Sequence, residues 1–436
     1  MPSFTPILID TVDVGLNSQK QPGNAGAGIN AINMVDKIGP IVSGVNQYLV
    51  MGPGLFNGVA QVWKSSDGGN TWNKMDAAHA PACRNWCAFY NKATGKFVIA
   101  YLLNANVGAI ESVNLIGFNT ATDLYENVAG NPGASPGQVH AVFTCVQRSD
   151  NSVVIFGIDD SGAPGSYKYL IWSGAAWSIT AFDVQGTAQT QSVTCCLDSN
   201  DRTHILTSTG AGVSYNVNYW NLTAGNVLTG PTVFGWVTAS GMAQQFAPRI
   251  DVSDALDTLY IGNWRTAAGI SQGRIFFGSP RSAPVWNGTF QGTLIGSLPA
   301  GTNASAEPYI SVGSDGNLYF VGIASTLGTP QVWMFQVPIS NNPISGWNLS
   351  TPFDPNFSTV PLTAFPTEPT IAVTNKAKLF FNAATGATGI TRFFLGLPNP
   401  PGKGVVNITG RNPFPRRLPW VVGKPRITEG RHFFVR

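Results

Sequence analysis

Few residues in this chain combine the right types and spacing to do chemistry together. Glu307-Pro308 and Glu368-Pro369 repeat the same acid-proline pair 61 residues apart, and Arg249 follows Pro248 at a comparable place one repeat earlier. Arg84 stands at the matching place before Trp86–Tyr90. Two carboxylates held roughly 5–10 Å apart can cleave a glycosidic bond, one as acid and the other as base or nucleophile. An arginine beside them can hold a sugar or a carboxylate. The same letters also have a structural meaning. Repeated units repeat their turn chemistry, and each Glu can cap backbone amides or pair with the arginine. On the sequence the structural meaning carries most weight, ligand binding less and catalysis least.

Other reactive side chains read as packing. His79, Cys83 and Cys87 are spaced by four, which invites a metal, but Pro81 breaks any helix that would align them and no fourth ligand is near. Core cysteines are therefore expected, and no metal. His140 and His204 lie in or beside strands and are expected to be packed rather than catalytic. Asp159-Asp160-Ser161-Gly162 and Asp251–Asp257 match no known calcium-loop spacing and read as turns. No Gly-rich loop ending in Lys-Ser/Thr occurs, so a phosphate-binding loop is excluded and no cofactor is expected.

The elements that must position these residues recur along the chain. An aromatic sits in an apolar strand at Trp63, Phe118, Trp172, Trp220, Phe276, Trp333 and Phe393, at steps of 48 to 60 residues. In most units a second aromatic follows a polar turn, as at Trp72, Trp177, Trp236, Trp286 and Trp347. Upstream of each lies a pair of strands, such as Pro248–Val252 with Leu259–Ile261, Pro308–Val312 with Leu318–Phe320, and Pro369–Val373 with Leu379–Phe381. Weaker pairs are Ile38–Ser43 with Tyr48–Met51, Trp86–Tyr90 with Phe97–Tyr101, Val139–Val146 with Val153–Phe156, and Gln191–Leu197 with His204–Leu206. Turns such as Ser314-Asp315-Gly316-Asn317 join them as hairpins. Each unit reads as a four-stranded antiparallel meander. Seven such units predict an all-β fold, a single seven-bladed β-propeller over residues 36–397. Residues 1–35 come first, and Thr5–Val14 either closes the last blade as its outer strand, which is favoured, or packs as a surface arm.

Composition agrees with many short strands. Charged residues are only 11% of the chain, against roughly 25% in ordinary soluble domains. With 49 Gly and 30 Pro, turns are frequent and helices disfavoured. No apolar run reaches the roughly 18 residues needed to cross a bilayer, and the start lacks a basic region followed by an apolar core, so no secretion signal is expected. The five cysteines, an odd number with Cys195 and Cys196 adjacent, read as buried free thiols in a reducing compartment.

Within the first unit, Ser65-Ser66-Asp67-Gly68-Gly69-Asn70-Thr71-Trp72 resembles the Asp-box of sialidase-type (BNR-repeat) β-propellers, with Ser65, Asp67, Gly69, Thr71 and Trp72 filling the pattern. The resemblance implies a propeller and makes the box a structural turn at the blade rim, away from any active site. Sialidase chemistry in that family needs three arginines, a Tyr nucleophile with a Glu partner, and an Asp acid/base. Its first arginine lies in a Phe/Tyr-Arg-Ile-Pro motif before the first box. Here no arginine precedes Arg84, and Phe246-Ala247-Pro248-Arg249-Ile250 has the letters in another order. No catalytic set carries over.

From Leu397 the repeat stops. Residues 398–436 are rich in proline and hold eight basic residues against Glu429, a net charge of +7 that leaves −4 on the remainder. This basic C-terminal arm, with Arg411, Arg416, Arg417, Trp420, Arg426 and Phe433, is expected to dock on a copy of the chain or a similar neighbour, with nucleic acid the less favoured partner. Together these features predict a non-enzymatic structural or attachment component of a large assembly, a phage virion protein made in the host cytoplasm. The alternative is a glycan-binding or glycoside-hydrolysing sialidase-like propeller.

Overall fold

The computed structural model describes residues 7–13, 38–43, 46–51, 58–66, 73–83, 85–103, 111–130, 132–137, 139–159, 165–184, 193–211, 214–237, 249–267, 270–287, 293–297, 302–304, 309–312, 317–326, 329–338, 348–349, 367–373, 379–384 and 390–396. The chain divides into two compact units, Met1–Pro398 and Asn399–Arg436. All described elements lie in the first. Every residue named above for the basic arm lies outside the described residues.

The first unit is all-β and built from antiparallel meanders. In chain order the first sheet holds Ile38–Ser43, Asn46–Met51, Gln61–Ser65 and Asn73–Lys74, and the second Asn85–Asn91, Lys96–Leu102, Val113–Asn119 and Leu124–Glu126. The third holds Ala141–Gln147, Val153–Asp159, Ser166–Trp172 and Trp177–Val184. The fourth holds Val193–Leu197, Thr203–Ala211, Ser214–Leu222 and Leu228–Val237. In the fifth, Arg249–Ser253, Thr258–Ala267 and Ile270–Ser279 are followed by Val285–Trp286, and Thr293–Ser297 also pairs with Ile270–Ser279. In the sixth, Thr302–Ala304 and Tyr309–Val312 both pair with Asn317–Thr326, which leads to Thr329–Pro338 and Asn348–Leu349. The last holds Thr367–Val373, Leu379–Ala384 and Ile390–Gly396, and its outer strand is Ile7–Asp13 from the other end of the chain, running from Ile7 opposite Leu395 to Asp13 opposite Ile390.

The recurring aromatics all fall in third strands, and Trp63, Phe118, Trp172 and Phe276 are buried. The second strands of the second and third sheets, Lys96–Leu102 and Val153–Asp159, are near-continuous apolar runs, as expected where both faces are covered. In Val153–Asp159 every side chain but the last is buried. The contact between sheets is close enough to dictate composition. A Cβ on Gly262 of the fifth sheet would come within 2.9 Å of the Phe320 ring of the sixth. First strands pack side by side in chain order, and that of the last sheet packs against that of the first.

Among the described residues, the turns after the first strands tie the second to fifth sheets each to the next. Asn151, Asp201 and Asp257 end these turns at φ of 68°, 59° and 51°, a left-handed conformation that Asn and Asp tolerate better than other side chains. Asp201 Oδ1 accepts a bond from the Ser149 amide of the preceding sheet (2.9 Å), and Asp254 Oδ1 accepts one from Ser199 in the same way (2.9 Å). Asn91 donates to Gln147 across the second and third sheets (3.0 Å). Arg148, only 1% exposed, donates to Asn226 Oδ1 (2.6 Å) and to the Thr223 carbonyl (3.0 Å) in a turn of the fourth sheet. At the next seam Arg281 lies 3.2 Å from Asp198 and pairs with Asp254.

Replacing Arg148 by Met would keep its bulk but remove the donor that the Asn226 and Thr223 oxygens share. Arg148→Met should cost roughly 2–3 kcal/mol, the usual range for hydrogen bonds to a charged group, and lower the midpoint of a thermal melt by several degrees. An unchanged midpoint would mean that Arg148 does not hold the third and fourth sheets together.

Candidate functional site

Three contacts show that the first strands begin at a common end. The Val142 amide donates to Asn85 Oδ1 (2.7 Å), the Val312 amide to Asp251 Oδ2 (2.7 Å), and Thr144 Oγ1 lies 3.3 Å from Cys195 Sγ. Each pairs residues at similar distances from the start of their strands, so the starts are level. That end is presented by Asn85, Ala141, Val193, Arg249, Tyr309 and Thr367, the opening residues of the first strands from the second sheet to the last.

Arg249 is therefore at the mouth of this end, partly buried and opposite Gly262. Alternation along a strand puts it on the same face as Asp251, two residues on. Asp251 reaches toward the sixth sheet, where its carboxylate accepts from Val312. Glu368 is the second residue of the first strand of the last sheet, so its backbone stands at the same end. Glu307 and Arg84 lie outside the described residues.

Asp251 is the electrostatically unusual group of this wall. Burial pushes its carboxyl up to about 6, although bonds from the Val312 and Val252 amides and the charge of Lys92 pull it down. Lys92 follows the first strand of the second sheet and Asp251 lies in that of the fifth. Their mutual influence therefore acts between sheets that are not neighbours in the chain order of packing.

A second group was not singled out by its spacing. His140 immediately precedes the first strand of the third sheet, Asp159 ends the second strand, and Lys168 lies in the third. Lys168 Nζ is 2.7 Å from Asp159 Oδ2, and His140 Nδ1 is 3.7 Å from Asp159 Oδ1. The His140 amide donates to the Ile158 carbonyl (2.7 Å), and the Val139 carbonyl accepts from the amide of Glu111, two residues before the third strand of the second sheet (2.8 Å), which fixes where His140 stands. Its side chain is 5% exposed, against 16% for Asp159 and 12% for Lys168. The one sequence signal available was an Asp and a Lys flanking a short hairpin beside a strand-initial His. Only the antiparallel register brings the three together.

The remaining residues have structural settings. His204 is buried, stacked on Tyr219 with ring planes 13° apart and bonded to its hydroxyl at 2.9 Å. It lies 3.4 Å from Asp198. Burial raises the Asp198 carboxyl, but the bond with His204 and the Arg202 and Asn200 amides outweigh it, so its pKa is lowered. Cys83 and Cys87 are buried in two different core clusters, Cys83 with Trp86, and burial pushes the Cys83 thiol up to about 12. His79 instead pairs with Asp76 at 2.5 Å. No three His, Cys, Asp or Glu side chains among the described residues could jointly hold a metal ion. Of the Asp-box-like segment, Ser65 is buried at the end of its strand, while Asp67, Gly69, Thr71 and Trp72 lie outside the described residues. No helix among the described residues is long and apolar enough to cross a membrane.

No protein-family model matches the chain, and no curated protein matches it in sequence. Solved structures do resemble it in backbone. One is a polysaccharide lyase, an ulvan lyase of family PL25, at 9% identity and a TM-score of 0.43, covering 90% of this chain and 96% of that one. Another is the β-propeller domain of the Trilobed protease from Pyrococcus furiosus, at 7% identity and a TM-score of 0.42, covering 84% and 95%. A third is the endosialidase of phage phi92, at 12% identity and a TM-score of 0.42, covering 94% of this chain and 72% of that one. The expectation of a non-enzymatic protein is corrected to this extent: the structures that resemble the chain are named as enzymes in two of these cases, a polysaccharide lyase and an endosialidase, and the likeness itself concerns the backbone alone. At such identities they do not indicate which residues of this chain act.

The Asp251 carboxyl makes a pH prediction. Because its folded-state pKa lies above the unfolded value of about 3.9, the folded protein binds the extra proton, and this residue's contribution to stability falls as pH rises from about 4 to about 6. Relative to Asp251→Asn, the wild type should lose on the order of 2–3 kcal/mol across that window in denaturant titrations. A stability difference that stays flat between pH 4 and 6 would show that burial does not hold this carboxyl up.

Proposed function

We propose that the chain is a seven-bladed β-propeller, with Ser65–Trp72 as the rim turn of its first blade, that binds and cleaves a glycan at the end where the first strands begin. The observation that carries this reading is the ordering of first strands. Those of the fifth, sixth and last sheets pack in sequence, which supports Arg249, Tyr309 and the backbone of Glu368 sharing one end, and in the sequence Glu307 stands two residues before Tyr309. Arg249 faces the side on which the sixth sheet lies. Glu307 and Glu368 then serve as the acid and base of glycosidic cleavage, and Arg249 orients the sugar. A ring mouth suits this work because a glycan can lie across it while several sheets contribute one residue each. The chain's few charges are in keeping with a surface that meets neutral hydroxyls.

The test is cleavage of a panel of neutral and acidic polysaccharides, with new chain ends as the readout. Glu307→Gln and Glu368→Gln should each lower turnover by about 100-fold or more, the usual scale for loss of a general acid or base, while binding of the same glycan persists. If the wild type opens none of them, or both variants retain full turnover, cleavage at this mouth is excluded.

A further inference from the structure

Asp251 accepts hydrogen bonds from the backbone amides of two first strands at once. Its Oδ1 takes the amide of Val252 in its own strand (2.8 Å), and its Oδ2 takes that of Val312 in the sixth sheet (2.7 Å). An ionised carboxylate can hold both because it offers only acceptors. A protonated carboxyl or an asparagine amide keeps one good acceptor oxygen and turns a donor toward the second amide, so one of the two bonds is lost. The place of this clamp matters. Arg249 stands two residues before Asp251, and Tyr309 stands three residues before Val312. The clamp therefore joins the strand that Arg249 opens to the strand that, in the sequence, follows Glu307. Close packing holds the two sheets together beside it. A Cβ on Gly262, the residue opposite Arg249, would lie 2.9 Å from the Phe320 ring and 3.3 Å from Ile310 of the sixth sheet.

We infer that Asp251 is a positioning residue for the cleavage proposed above: its ionised carboxylate fixes the height of the sixth sheet's first strand against that of the fifth, and with it the offset of Tyr309 from Arg249. The inference rests on the reading that Arg249 and the glutamates act at this mouth. Apolar packing keeps the sheets together, whereas the clamp sets how they are aligned, and a misplacement of about 1 Å at a reacting centre costs on the order of 100-fold in rate. Burial delays completion of the clamp to about pH 6. Several groups face Asp251. Arg249 shares its side of the strand, and Lys92 and Asp254 act on it through their charge. Cys196 lies on the neighbouring first strand and Tyr260 opposite Asp251, and burial raises the pKa of both, so they stay neutral near pH 6. His204, on the second strand of the fourth sheet, is turned to Tyr219 and Asp198.

The experiment takes the polysaccharide of the panel that the wild type cleaves fastest and follows kcat and KM for wild type and Asp251→Asn across pH. Taking the ratio of the two kcat values cancels the titration of the glutamates. That ratio should rise from about one at about pH 4.5 to about tenfold at about pH 7.5, with KM within about twofold throughout. Its midpoint should lie at about 6. In protein labelled with nitrogen-15 valine, the Val312 amide resonance should shift with the same midpoint in the wild type and stay still in the variant, with no substrate present. Stability runs the other way, because the wild type loses ground to Asp251→Asn in denaturant as pH rises from about 4 to about 6. A merely structural residue would move turnover and stability in one direction. Thermal melts show whether Asp251→Asn is folded, and the wild-type resonance decides the matter if it is not. A kcat ratio that is flat with pH, or a Val312 resonance that does not follow pH, overturns the positioning role and leaves the glutamate reading standing. If the wild type cleaves no member of the panel, the cleavage reading fails and the positioning role with it.

Discussion

The structure depends on how each first strand deals with its second edge. A strand at the start of a meander is paired on one side only, and the amides on its other side are neither free to solvent nor supplied with a partner by their own sheet. Side chains from the neighbouring first strand meet that need. Asn85 accepts from Val142, and Asp251 accepts from Val312. These bonds set the height of one strand against the next, so strand starts stay level from sheet to sheet. Without level starts, residues far apart in the chain would not face a common mouth. Placing a carboxylate in this position has an electrostatic cost, seen in the raised pKa of Asp251.

The two ends of the first unit consequently do different work. At one end, short turns with left-handed Asn and Asp residues present carboxylates to the amides of the preceding sheet, while Arg148 and Arg281 fill the seams. That end is dense with polar contacts between sheets. At the other end Asn85 and Asp251 accept from amides of the next sheet, His140, Asp159 and Lys168 share the third sheet, and Arg249 opens its strand.

Much of the fold was legible because it is periodic. Trp63, Phe118, Trp172, Trp220, Phe276, Trp333 and Phe393 mark third strands, and each paired run upstream is a first and second strand. The repeated Glu-Pro and the Pro-Arg of the fifth unit likewise located strand openings. Features that depend on contact between sheets were not legible. A single Asn85 or Asp251 in an apolar strand has no local pattern that distinguishes a cap for a neighbour's amide from an exposed polar residue. Asp251 was placed both in the strand Pro248–Val252 and in the turn Asp251–Asp257; it lies in the strand, which runs on to Ser253, and the turn begins at Asp254. His140 was correctly placed beside a strand and is buried, but its company of Asp159 and Lys168 follows from register, which a sequence states only after the pairing is known.

Pairing between Ile7–Asp13 and Ile390–Gly396 has a consequence for synthesis. A ribosome adding roughly 5–20 residues per second emits the first of these segments about 20 to 80 seconds before the second. During that interval the earlier sheets can form in turn, each from strands adjacent in the chain, while the N-terminal strand waits with its edge unmatched. The last sheet must then recruit it from the far end of the polypeptide. Folding of this chain is thus vectorial until its final step, and the interval in which two chains could exchange N-terminal strands is set by translation speed rather than by the intrinsic rate of strand pairing.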